Sequence, residues 1–143
     1  MPAPSTFDYA VLRVVPRVER GEFVNAGVVL FCRVRRVLDA RVELDEARLL
    51  ALDPAVDLEL VRRSLAGFVR VARGEADGGP IARLPLHERF HWLTAPRSTI
   101  VQPSPIHSGE CDDPGAELEQ LMDEMVRPIR REAPGPGFDA EAQ

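Results

Sequence analysis

No lysine occurs in this 143-residue chain, and its 18 basic residues are all arginine. Without a side-chain amine there is no P-loop, no kinase-type phosphate lysine and no Schiff-base chemistry. Cysteine is scarce as well, with only Cys32 and Cys111, so a disulfide-built scaffold is not expected. No apolar run approaches the roughly 20 residues that a membrane span requires. The first residues, Met-Pro-Ala-Pro-Ser-Thr-Phe-Asp, show no basic stretch followed by an apolar one. No secretory signal is therefore read, and a cytoplasmic protein is expected. Positive charge is also in deficit: 23 acidic residues outnumber the 18 arginines, for a net charge of -5 and a pI near 5.2. A general nucleic-acid binder carries the opposite balance, so a nucleic-acid partner is not expected.

The residues present are those of a soluble globular domain, 45% apolar and 29% charged. The chain suits one core, and residues 1–132 are read as a single compact α+β domain followed by a disordered tail at 133–143. Phe7 to Val15 is rich in β-branched and aromatic residues and stops at Pro16, which predicts a strand. Phe23 to Val34 is too continuously apolar for a strand with one wet face and reads as central. Val37 to Leu44 alternates, with Leu38, Ala40, Val42 and Leu44 on one side. Together these predict an antiparallel β-meander covered by two longer helices. Asp45 caps a short helix to about Leu52 and Asp53-Pro54 opens a longer one that Gly74 ends. Leu58, Val61, Leu65, Phe68, Val69 and Ala72 form its apolar stripe. The last helix starts at Asp113-Pro114 and carries Leu118, Leu121, Met122, Met125, Val126 and Ile129 at helical spacing.

All three histidines and the only tryptophan lie between Leu86 and Pro114. His87-Glu88-Arg89-Phe90-His91 spells the H-E-x-x-H pattern of zinc hydrolases, in which two histidines on one helix face bind the metal and the glutamate polarises its water. That chemistry needs a helix. Phe90, Trp92 and Thr94 alternate with His91, Leu93 and Ala95 before Pro96, which predicts a strand instead. Arg97 also stands where one zincin class has its third histidine. Metal and cofactor expectations are therefore none, with His87 and His91 the minor alternative. Arg97, Ser98, Thr99, Gln102, Ser104 and His107 are donors of the kind that hold a carboxylate or phosphate. Pro103 and Pro105 keep the stretch extended, which would carry His107 past the end of the sheet. Asn25 and Gly27 in the central strand call for a satisfied amide and a bulge or close backbone approach. Glu22 and Asn25 are placed with Arg97 to His107 in one site at one end of the sheet.

Gly21-Glu22-Phe23-Val24-Asn25-Ala26-Gly27-Val28-Val29-Leu30-Phe31 and the run from Phe90 to Gly109 resemble the bacterial family called domain of unknown function 3037. The likeness extends from Asp8 to about Val126. It centres on Trp-Leu-Thr-Ala-x-Arg-Ser, matched by Trp92 to Ser98, and on Gln102, Ser104 and His107. Histidine at 87 or 91 is not part of it. The family carries no established activity, but its members tend to be encoded beside a HipA-like kinase, which implies a protein partner. The functional expectation is a non-enzymatic accessory or interaction module with an anion site around Arg97. The alternative is a small enzyme on a phosphorylated or carboxylated substrate, with Arg97 binding the anion and His107 as acid or base.

Overall fold

The computed structural model describes residues 3–129, and the expected tail at 133–143 lies outside the described residues. The chain runs β1 (Ser5–Val14), β2 (Val24–Cys32), β3 (Val37–Val42), α1 (Glu46–Leu52), α2 (Leu58–Arg73), α3 (Leu86–Thr94), β4 (Val101–Pro103), β5 (His107–Cys111) and α4 (Pro114–Met125). It is an α+β domain with one antiparallel sheet ordered β3-β2-β1-β4, and β5 also pairs with β1. Among the described residues, no helix is long and apolar enough to cross a membrane.

β1 and β2 are apolar on both sides because helices cover both sheet faces. Ala10, Leu12 and Val14 face α2 and α3 together with Val24, Val29 and Phe31. Phe7, Val28, Leu30 and Cys32 face α4 through Leu118, Leu121 and Met122. Each of the Val, Leu, Phe and Met side chains among them contributes about 1.5–3 kcal/mol on full burial. Phe23 falls outside β2 and is 43% exposed, its ring lying under the Arg13 guanidinium at 4.3 Å. The pairing of β1 with β2 slips between Leu12 and Arg13, where Gly27 and Asn25 flank the extra residue Ala26. A Cβ at Gly27 would lie 2.6 Å from the Arg41 carbonyl and 2.8 Å from Val42 Cγ1, so the close approach of β3 requires glycine.

Local caps fix the helix ends. Asp45, Asp57 and Asp113 each accept a backbone amide in the first turn of α1, α2 and α4. α2 therefore begins at Leu58 and not at Pro54, because Asp53 instead takes the Ala55 amide at 3.0 Å in the intervening turn. Gly74 closes α2 in the left-handed conformation, at φ 68°. α4 ends at Met125, leaving Ile129 beyond the helix and 77% exposed.

Residues 86 to 94 form a helix, correcting the strand expected there. Arg89, Phe90, Leu93 and Thr94 are its buried residues, a spacing that matches helical turns. Phe90 meets Phe31 of the sheet at 5.2 Å between ring centroids, whereas Trp92 stays 39% exposed. Packing against the sheet and α2 decides between two periods that so short a segment fits equally.

His107 also departs from its expected place. It opens β5 directly opposite Tyr9 in mid-β1, so it lies within the sheet and not past its end. Pro103 and Pro105 interrupt the edge, but Ser104 between them bridges the gap. Its amide donates to the Val11 carbonyl at 2.8 Å, and its hydroxyl oxygen accepts the Val11 amide at 2.8 Å.

Candidate anion-binding cleft

Ala95 leaves the helix with extended backbone ahead of Pro96, as residues before proline prefer. The chain then folds back so that Arg97 reaches the end of α3. Its Nε donates to the Ala95 carbonyl at 3.3 Å and its Nη2 donates to the Trp92 carbonyl. A cation suits this end of a helix, where the last carbonyls have no regular helical amide to accept from and the dipole is negative. The guanidinium carbon also lies 5.0 Å from the Phe68 ring centroid and 4.7 Å from that of Trp92. Such cation-π contacts contribute about 0.5–1 kcal/mol each at partly exposed sites.

These contacts occupy the Nε and Nη2 side of the fork. Among the described residues, no carboxylate lies within 4.0 Å of Arg97, and its Nη1 makes no hydrogen bond. Burial pushes the Arg97 pKa below the ordinary arginine value. The residue stays charged at any neutral pH, so a half-buried cation stands here with no ion-pair partner in direct contact among the described residues.

Arg97 opens into a cavity of about 380 Å³ between α2 and the α3–β4 connection. Gly67, Phe68 and Arg70 from α2 line it, with Trp92, Thr99 and Asp77. Thr99 donates its hydroxyl to the Val101 carbonyl at 2.8 Å, and Gln102 donates its Nε2 to the Thr99 carbonyl at 2.9 Å, which fixes this wall. Gly67 lies in the middle of α2, and a Cβ there would meet nothing within 4 Å. A mid-helix glycine costs about 0.8–1.0 kcal/mol relative to alanine. No close approach by the described residues explains it.

Of the residues nominated from sequence, Arg97 and Thr99 share this cavity, and the others are dispersed. Ser98 is exposed, and Gln102 braces the loop as above. Ser104 is buried with its hydroxyl engaged by Val11 and by the Pro105 carbonyl at 2.9 Å. His107 packs against Tyr9, with ring centroids 5.4 Å apart and the rings tilted by 35°, on the α4 side of the sheet. Arg97 packs on Phe68, which belongs to the α2 side. The sheet thus separates the two. Asn25 also belongs to the α4 side, donating its Nδ2 to the Met125 carbonyl at 2.9 Å. It is paired to Arg13, which is in turn paired to Gln102. Glu22 is held by Arg20 in the loop before β2. The expected single site is therefore not assembled.

His87 and His91 are exposed on successive turns of α3, the arrangement the zinc reading needs and the strand expectation denied. Among the described residues, however, no group of three His, Cys, Asp or Glu side chains could hold a metal ion. Phe68, Gly67 and Arg70 were not nominated from sequence. Phe68 read as core, and only Gly67, a glycine interrupting a good helix, carried a usable signal.

A family model described as "Protein of unknown function (DUF3037)" matches residues 9–126. No curated protein and no solved structure matches the chain.

Proposed function

The chain belongs to the DUF3037 family, and from that premise we propose that it is an accessory module that engages a protein partner by binding an anionic group of that partner at Arg97. The observation that carries this reading is the state of the Arg97 guanidinium. It is half-buried, held by two helix-end carbonyls and two aromatic rings, and has no carboxylate partner among the described residues. Pre-positioned charge with unused Nη1 hydrogens is suited to charge-assisted recognition of a carboxylate or phosphate. The reading calls on no acid or base, and His107 lies across the sheet from Arg97.

The family resemblance makes a HipA-like kinase the first partner to try. Coexpression followed by affinity capture at low salt tests the proposal, using the native chain and Arg97→Gln. The expected result is a stoichiometric complex with the native chain and its loss with a folded Arg97→Gln variant. Equal capture by both proteins, or none by either, would count against the proposal.

A further inference from the structure

Gly67 and the end of α3 together specify what the Arg97 cleft takes. We propose that the cleft is a binding site for a monocarboxylate with a short apolar body, a peptide C-terminus, whose carboxylate meets the guanidinium of Arg97 at its free Nη1 while its body packs against the bare backbone of α2 at Gly67. This deepens the function proposed above and rests on it.

Charge selects carboxylate over phosphate. The cleft offers Arg97 and Arg70, but Asp77 lines it as well, and part of the Arg97 charge is already engaged by the Trp92 and Ala95 carbonyls at the negative end of α3. Phosphate sites usually have the reverse arrangement, with backbone amides and a helix N-terminus aimed at a dianion. A single negative charge fits the field here.

Shape selects a small, apolar body. Phe68, Val71 and Val101 supply apolar wall, and a cavity of about 380 Å³ is at the small end of ligand sites. Gly67 supplies the floor. The fold does not need glycine at this position, since a Cβ there would point into open space. A helix that gives up stability for an unobstructed surface in the cavity that Arg97 also lines has that surface available for close contact with a ligand.

Trp92 is the chain's only tryptophan and lies beside Arg97, so its fluorescence reports occupancy directly. The test titrates the full chain with N-acetyl-leucine, N-acetyl-leucine amide and inorganic phosphate, and repeats the series with Gly67→Ala. N-acetyl-leucine should give a saturable change, and the amide and phosphate should bind at least about tenfold more weakly. Gly67→Ala should raise the thermal midpoint of the free protein yet weaken N-acetyl-leucine binding by about tenfold or more, since the added methyl overpacks the contact. Undiminished binding by Gly67→Ala, equal binding of the amide, or no response to N-acetyl-leucine would overturn the inference. A saturable response to phosphate alone would overturn it while leaving anion recognition at Arg97 intact. Partner capture indifferent to Arg97 would remove the underlying function instead.

Discussion

Ser104 and Val11 exchange two hydrogen bonds, one from amide to carbonyl and one from amide to side-chain hydroxyl, each 2.8 Å long. The second replaces a backbone acceptor at the gap between β4 and β5, so Ser104 joins two short strands into one sheet edge. Ser104→Ala strands the Val11 amide in the core, and the expected loss is about 1–3 kcal/mol. Urea unfolding measures it. An unchanged midpoint would show that the hydroxyl is dispensable to the sheet.

Gly27→Ala should be among the most damaging single substitutions in the sheet. The new methyl would sit 2.6 Å from a backbone oxygen of β3, which cannot move without breaking the β2–β3 pairing. Overpacking of this kind costs about 1–3 kcal/mol or more. Gly67→Ala should move stability the opposite way by up to about 1 kcal/mol. Measuring both unfolding midpoints separates a glycine required by the fold from one that the fold does not need.

Asn25→Ala should release the last turn of α4 from β2. The lost side-chain bond to the Met125 carbonyl is worth about 0.5–1.5 kcal/mol. Hydrogen exchange should show faster exchange of amides near the end of α4, with β1 and β2 amides little changed. Uniform acceleration across the domain would instead indicate global destabilisation.

Cys111 makes stability depend on alkaline pH. Burial, reinforced by Cys32 and Glu117, raises its thiol pKa above the ordinary value. The folded chain therefore keeps this proton to higher pH than the unfolded chain does. The resulting stability is complete below the unfolded thiol pKa of about 8.5 and falls as pH climbs from there through the folded value. Cys111→Ala should flatten the decline in urea midpoint above about pH 8.5. An identical pH profile in the variant would contradict it.

Several elements are legible in the sequence because their determinants are local. Asp45, Gly74 and Asp113-Pro114 mark helix ends through bonds made within a turn. The alternation of Leu38, Ala40 and Val42 likewise gives β3 and its buried face. Residues 86 to 94 are not legible in this way, since Phe90, Trp92 and Thr94 fit a strand as well as a helix over so few positions. Only burial of Arg89, Phe90 and Leu93 against other elements settles their state. The position of His107 is hidden for a related reason: Pro103 and Pro105 announce a break, but not that a serine side chain repairs it.

The cleft divides along the same line. Arg97 and Thr99 are visible as clustered donors in one short segment. Phe68 and Gly67 lie about 30 residues earlier and join them only through packing of α2 beside the α3–β4 connection. His107 is set opposite Tyr9 by strand register, whereas Arg97 is set on Phe68 by packing against α2, a separation that their closeness in sequence conceals.

Anion recognition at Arg97 can be read from the fluorescence of Trp92 during titration with N-acetyl-leucine and, separately, inorganic phosphate, in the native chain and in a folded Arg97→Gln variant. It predicts a saturable change in the native chain, strongest with the carboxylate, and none in the variant. A response of equal affinity in both proteins, or no response to either anion in the native chain, would contradict anion recognition at Arg97.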